Sequence, residues 1–302
     1  MNKAMVIGSL GFIGFSLCKR LLEEEYEVIG IDYISDEDHD KLKEQKLSEI
    51  ARNSNLQFIN NQIQNTKLKE VTENCNVLYY CIHDPSINED NMNEKRLNMK
   101  DILLNVMDYC SETNCKFIYL SSYEIFKEND FNRDERTEKS PRNLIGKIKM
   151  EEENEIRKYS QVNNSFSFHI IRIPTVYGPW QPDYMTFQQI IMGADSPAID
   201  SIKEDVIFID DLVEILLEIP YSSNEIKTTI IESNIKNQWK AGYNLLKGTL
   251  KQDELKDLEG IDKMTDDQKE YRRFLQTSIE EGVKKQRDHY KYLQKLKDLG
   301  LI

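Results

Sequence analysis

The chain has 302 residues, 40 basic against 53 acidic side chains and a formal net charge of −13, with 39% hydrophobic and 31% charged residues. That length can bury a core in one large or two unequal domains. The negative field argues against nucleic acid and anionic membranes as partners, so a nucleotide ligand must be met by local N–H groups and a few cations.

The first element is a short apolar strand over residues 3–8, running into Gly8-Ser9-Leu10-Gly11-Phe12-Ile13-Gly14. An amphipathic helix pattern over 12–24 follows, then a strand over 27–31 that ends at Asp32. Strand, glycine turn, helix, strand and acid form the physical recipe for holding a dinucleotide. Gly8 lets the chain turn off the strand. Gly11 lets the backbone approach a pyrophosphate at the helix N-terminus, where N–H groups are unpaired. Gly14 lets the helix lie close on the strand. Asp32 can accept hydrogen bonds from both hydroxyls of an adenosine ribose and would repel a 2′-phosphate, so NAD is expected rather than NADP.

Further strands are expected at 56–60, 76–82, 116–121 and 167–172, with helical stretches at 38–53, 92–113 and 147–160 between them. The segment from Asp36 to Asn53 carries Asp36, Glu37, Asp38, Asp40, Lys41 and Lys43 and reads as a solvated helix. Several strands are continuous apolar runs, as parallel strands covered on both faces require. The alternation predicts an α/β fold, a Rossmann-type doubly wound parallel sheet, over residues 1–173. From about residue 174 the pattern changes. Pro174, Gly178, Pro179 and Pro182 punctuate a loop, followed by a helix at 184–192, a strand at 205–209 and a helix at 211–218. Residues 174–302 are expected to form a smaller, mostly helical substrate-side region, with 205–218 returning to the sheet domain and 265–298 as charged surface helices.

Cys18, Cys75, Cys81, Cys110 and Cys115 form no Cys-x-x-Cys pair and are odd in number, so buried reduced thiols are expected. His39, His83, His169 and His289 show no metal spacing, and no metal is expected. No run approaches the about 20 apolar residues that cross a bilayer. The opening stretch is not a secretory leader, so the expected location is cytoplasmic.

Taken together, several segments resemble the extended short-chain dehydrogenase/reductases, in particular the NAD-dependent epimerase/dehydratase branch that modifies nucleotide sugars. The glycine loop with its Phe12-Ile13 pair resembles the family's cofactor loop. Asn98, in Asn-Met-Lys-Asp-Ile-Leu-Leu, resembles its structural and proton-relay asparagine. The strand Phe117 to Phe126 resembles the one that ends in the active-site serine, which places Ser122 there. Arg172-Ile-Pro-Thr-Val-Tyr177-Gly178-Pro179 resembles the loop into the sugar-nucleotide site. Val206-Ile-Phe-Ile-Asp210-Asp211 and Thr277-Ser-Ile-Glu-Glu-Gly282 resemble later elements of the same family.

The family's chemistry needs a tyrosine four residues before a lysine, whose cation lowers the phenol's pKa so that it can act as base near neutral pH. Aligned on Lys147 and Glu151, the tyrosine position holds Asn143, an amide with no proton to exchange near pH 7. Lys147 is then expected to grip the nicotinamide ribose and Ser122 to polarise a carbonyl or hydroxyl. Tyr123 and Tyr177 are alternative bases that read better as packing residues. Arg172, ending a buried strand, reads better as structural than as phosphate-binding. Trp180 and Tyr184 could stack on a base or wedge the loop. Glu204 stands where many relatives carry an arginine for the substrate diphosphate, and a carboxylate there is repulsive.

Two functions follow from the resemblance. One is an epimerase/dehydratase-like enzyme acting on a nucleotide-activated or modified sugar. The other is a non-catalytic NAD-binding protein, a sensor or partner subunit. The family's helix-pair dimer implies a homodimer through 92–113 and 147–160, with Ile102, Leu103, Val106 and Met107 as the apolar stripe.

Overall fold

The apolar run Lys3–Ile7 (β1) sits at the middle of a parallel sheet because its side chains are covered on both faces. The computed structural model describes residues 2–35, 41–72, 74–127, 137–203, 205–221, 228–233, 235–249 and 270–301. Beside β1 lie Glu27–Asp32 (β2), Leu56–Asn60 (β3), Val77–Tyr80 (β4), Lys116–Ser122 (β5) and Phe168–Ile173 (β6). Thr175–Tyr177 (β7) and Val206–Phe208 (β8) pair in a separate two-stranded sheet, and Thr228–Ile230 (β9) joins the main one. The seven-stranded order is β3-β2-β1-β4-β5-β6-β9, parallel at every pairing. Direction of winding reverses between β1 and β4, and a crevice opens at the carboxyl ends of the strands there.

The helices are Phe12–Glu23 (α1), Lys41–Ile50 (α2), Leu68–Val71 (α3), Met92–Thr113 (α4) and Leu144–Val162 (α5), then Thr186–Ile191 (α6), Ile209–Glu218 (α7), Gln238–Lys247 (α8) and Ile279–Asp298 (α9). One core lies on the α1 and α7 face, with Phe15, Leu21, Leu212 and Leu216 in it. A second lies on the α4 and α5 face, with Leu103, Met107, Tyr119 and Ile156, and a smaller third holds Tyr123, Ile125, Phe126, Ile202 and Ile230. No helix among the described residues is long and apolar enough to cross a membrane.

Three expectations change. The stripe Ile102, Leu103, Val106 and Met107 is buried in the chain's own core, because that face of α4 covers the sheet, and it offers nothing to a second copy. The 205–218 segment divides. Its helix packs on α1, where Arg20 Nε donates to Glu214 Oε1 at 2.6 Å, while its strand pairs with β7. The final helix is also more than a surface helix. Thr277 bonds the Asp211 carboxylate through its N–H at 3.0 Å and its hydroxyl at 2.8 Å. Ser278 caps the helix, and Ile279 and Val283 are buried. The strand β9 and helix α8 lie outside the expected elements, and β9 is three residues long, too short for an alternation to show.

Candidate active site

A cleft of about 1360 Å³ runs along the carboxyl ends of β1, β2, β4 and β5, from Asp32 past the glycine turn to Ser122, and on to Tyr184, Gln188 and Asp200. Gly8, Gly11, Phe12, Ile13 and Asp32 all line it. Gly8 has φ +80°, a left-handed conformation that favours glycine. Gly14 does not line the cleft; its role is contact, since a Cβ there would come 2.0 Å from the Gly8 carbonyl oxygen. Gly11 is the N-cap of α1, and no side chain caps the first-turn N–H groups, which face the cleft as an anion cradle.

Asp32 is fixed rather than loose. Its Oδ2 accepts from the Leu10 N–H at 2.8 Å, and its Oδ1 accepts from the Tyr33 N–H at 2.8 Å and from Lys43 Nζ at 3.0 Å. A carboxylate has about four lone-pair sites, so one remains open for a ribose hydroxyl. Open donors at the turn, a close-packed glycine and a held carboxylate together fit the dinucleotide that the sequence implies.

Two cations were missed because α2 reads as a solvated helix. Lys43 reaches Asp32, and Lys46 is buried with its Nζ donating to the Leu10 carbonyl at 3.0 Å. Lys46 also lies 5.4 Å from the centre of the Trp180 ring, in cation–π range. Burial lowers its pKa to about 8, against the opposing pull of Asp32. The sequence signal that could have found it is its spacing of three from Lys43, which puts both on one helix face. Residues 36–40, part of the charged segment, lie outside the described residues.

At the other end the structure corrects the lysine. Lys147 is exposed and does not line the cleft, and Asn143 is the N-cap of α5. The Asn143 Oδ1 accepts from the Gly146 N–H at 2.8 Å and its Nδ2 donates to Glu124 Oε1 at 2.8 Å. Glu151 sits on the surface opposite Arg96. The same spacing moved two residues on, Ile145, Lys149 and Glu153, points inward: Ile145 and Lys149 line the cleft, and Glu153 is buried. Two residues on a helix are about 200° of rotation, so the slip exchanges the solvent face for the cleft face. Lys149 Nζ donates to the carbonyls of Ile82 at 3.2 Å and Leu120 at 3.1 Å, joining the chain beyond β4 to β5. Glu153 accepts from Arg172 through Nε at 3.0 Å and Nη2 at 2.8 Å, from Lys139 at 2.9 Å and from Ser121 at 2.7 Å. Burial pushes its carboxyl up, but Arg172 and Lys139 outweigh this and hold it at about 2.

Ser122 ends β5 inside the cleft, and its Oγ accepts from the Glu124 N–H at 3.2 Å. Glu124, His83 and Asn98 share the lining. Tyr123 and Tyr177 are fully buried away from it, the Tyr123 hydroxyl donating to the Ile231 carbonyl at 2.7 Å. Arg172 is fully buried against Glu153. Trp180 packs edge-on against Phe15 and His289, so it wedges the loop between α1 and α9 while lining the cleft. Tyr184 also lines the cleft. Glu204 lies outside the described residues.

The profile of the NAD dependent epimerase/dehydratase family matches residues 4–219. The chain is 27% identical over 196 residues to YtcB of Bacillus subtilis (strain 168), described as an uncharacterized UDP-glucose epimerase, covering 63% of this chain and 61% of that one. It is 27% identical over 241 residues to protein CapI of Staphylococcus aureus, covering 74% and 71%. UDP-glucuronic acid 4-epimerase from Bacillus cereus, solved with UDP-glucuronic acid and NAD, superposes with a TM-score of 0.78 at 25% identity, covering 96% of this chain and 99% of that one. The dTDP-glucose 4,6-dehydratase of Bacillus anthracis str. Ames, solved with NAD, shares the fold at a TM-score of 0.76 and 15% identity, covering 98% of each chain. With more than half its length matched, the chain belongs to the NAD dependent epimerase/dehydratase family, whose cofactor is NAD.

Proposed function

We propose that this protein holds NAD across the glycine turn and acts on a sugar-type small molecule, an epimerase/dehydratase-like reaction on a nucleotide-activated or related sugar. NAD, when bound, supplies a hydride acceptor. The observation that carries the reading is the continuity of the cleft, which joins the Asp32 cradle to Ser122 and Lys149 in one space. Phe12 and Ile13 would receive the diphosphate on backbone N–H groups, the Gly11 N–H being donated to the Gly8 carbonyl at 3.0 Å, and Asp32 would receive a ribose hydroxyl.

Further along, Lys149 spends two of its three N–H bonds on the carbonyls of Ile82 and Leu120, which leaves one for a ribose hydroxyl. Ser122 accepts from Glu124 N–H and so keeps its own proton to donate to a ligand oxygen. The sugar end is lined by Tyr184, Gln188 and Asp200.

A second reading, NAD held without turnover, is favoured by one observation. Ile145 occupies the cleft position four residues before Lys149, and an alkyl side chain exchanges no proton. Calorimetry with NAD tests the shared part. Asp32→Ala should weaken binding by about 1–3 kcal/mol through lost charge-assisted hydrogen bonds. Unchanged affinity would remove Asp32 from the site. An absorbance change of bound NAD on adding UDP-glucuronic acid would separate the two readings.

A further inference from the structure

Oxidation of a hydroxyl needs an acceptor for its proton. Around Lys149 and Ser122 the candidates narrow quickly. Ile145 exchanges none, and a serine hydroxyl is too weakly acidic to exchange a proton freely near pH 7. Lys149 is committed to two backbone carbonyls. Glu124 accepts from Asn143 Nδ2 and from the Ser201 hydroxyl, which hold its carboxylate in place. Burial and the carboxylates of Glu124, Asp183, Asp200 and Asp84 push the Tyr184 phenol up to about 12, beyond the range of a base near neutral pH.

That leaves His83, whose ring is open to the cleft. Its backbone is fixed: Lys149 clamps the carbonyl of the preceding residue, Ile82, to that of Leu120, two residues before Ser122. The β4–β5 register pairs Tyr80 with Tyr119, so His83 and Ser122 each lie three residues further along adjacent chains. Four side chains with chemistry, His83, Ser122, Glu124 and Lys149, therefore converge where β4 and β5 end.

We propose that His83 is the proton acceptor of this cleft, taking the proton of the ligand's hydroxyl with Glu124 as the carboxylate that stabilises the imidazolium formed. This rests on the function proposed above. In the step, the ligand's O–H bond breaks and an N–H bond forms on the imidazole, while the hydride of the same carbon passes to oxidised NAD and the carbon becomes a carbonyl. Reversal returns the proton from His83. The groups facing the ring set its resting state. The crowding cleft walls and the Lys149 ammonium lower its pKa below the ordinary 6.5, while Glu124 and Asp84 oppose them. Asp84 is itself paired with Lys95 at 2.8 Å. The ring is thus neutral and able to accept at pH 7.

The test uses the full chain with 15N-labelled histidine, the His83 signal being assigned by its loss in His83→Gln. The titration midpoint of His83 is expected to lie at least about half a pH unit lower in the NAD+ complex than in the NADH complex, because only the oxidised ring carries a positive charge. Glu124→Gln should lower it in both. Equal midpoints in the two complexes place His83 away from the reacting end and overturn the inference. Failure of both NAD forms to bind removes the proposed function, and the inference with it. Bound NAD mixed with UDP-glucuronic acid as probe should be reduced at least about 100-fold more slowly in His83→Gln. Adding Ile145→Tyr should recover the rate by restoring a phenol above Lys149. Equal rates in wild type and His83→Gln also overturn it.

Discussion

The opening βαβ unit and the first turns of α5 both furnish the cleft, but they tie sequence to position differently. In residues 3–32 the constraint is backbone. Gly8 sits at φ +80° and Gly14 has no room for a Cβ, so shifting the motif by one residue would break the turn. In residues 143–153 the constraint is which way a side chain points on a helix rich in lysine and glutamate. Lys147 and Lys149 are equivalent as letters and opposite as positions, one exposed and the other 4% exposed. Geometry that only glycine satisfies marks its own register, whereas a lysine four residues before a glutamate occurs here twice.

The contrast between the two frames on α5 can be broken most forcefully at the glutamates. Glu153→Gln removes the charge facing Arg172 and Lys139 in a fully buried site, leaving the guanidinium uncompensated. A loss of about 3–5 kcal/mol in unfolding free energy is expected. Glu151→Gln, on the surface opposite Arg96, should stay within about 0.5 kcal/mol. Urea denaturation of both variants checks this, and similar losses would mean that the two frames are not distinct.

The sign with pH follows from the same pair. The folded carboxyl of Glu153 titrates at about 2 against an ordinary 4.5, so its contribution is complete above 4.5 and is lost as pH falls through 2. The difference in stability between wild type and Glu153→Gln should therefore shrink over that window.

The lysines give the next largest effect. Lys149→Ala leaves the Ile82 and Leu120 carbonyls without their shared donor and removes a cleft cation. It should cost about 1–3 kcal/mol in stability and weaken NAD measurably. Lys147→Ala should leave both within about 0.5 kcal/mol, as for other exposed positions. Thermal melts and NAD calorimetry on the pair decide it. Loss of NAD affinity on Lys147→Ala alone would restore the frame that begins at Asn143.

The sheet was legible because continuous apolar runs separated by helical stretches can form little except covered parallel strands, and the six strands expected before residue 174 are all present. The glycine turn was legible for the backbone reason just given. What sequence reasoning lost, it lost to amphipathic ambiguity. Lys46 carries the same letter as its solvated neighbours, yet it is buried against the Leu10 carbonyl and Trp180. The apolar stripe of α4 suits a partner as well as a sheet, and only the packing shows that the sheet has it. His83 stands alone with no spacing to announce it, and its place in the cleft depends on the preceding residue, Ile82, being clamped by a lysine 67 positions away in the chain.

Lys46 offers the finest test, because it sets the cofactor half against itself. Its folded pKa of about 8 lies below the ordinary 10.5, so between those values the unfolded chain holds the extra proton. Stability of the free protein from this group should therefore rise as pH climbs from 8 to 10.5. NAD affinity should move the other way. The protonated amine favours an anionic ligand over the Leu10 turn, and its loss should weaken binding by about two- to fivefold between pH 7 and pH 9.5, the size of a modest ion pair. In Lys46→Met both trends should flatten. A Met variant whose NAD affinity falls with pH as steeply as the parent's would place the titrating group elsewhere. Binding at that end would then depend on the glycine turn and Asp32 alone, with the α2 lysine reduced to packing beneath Trp180.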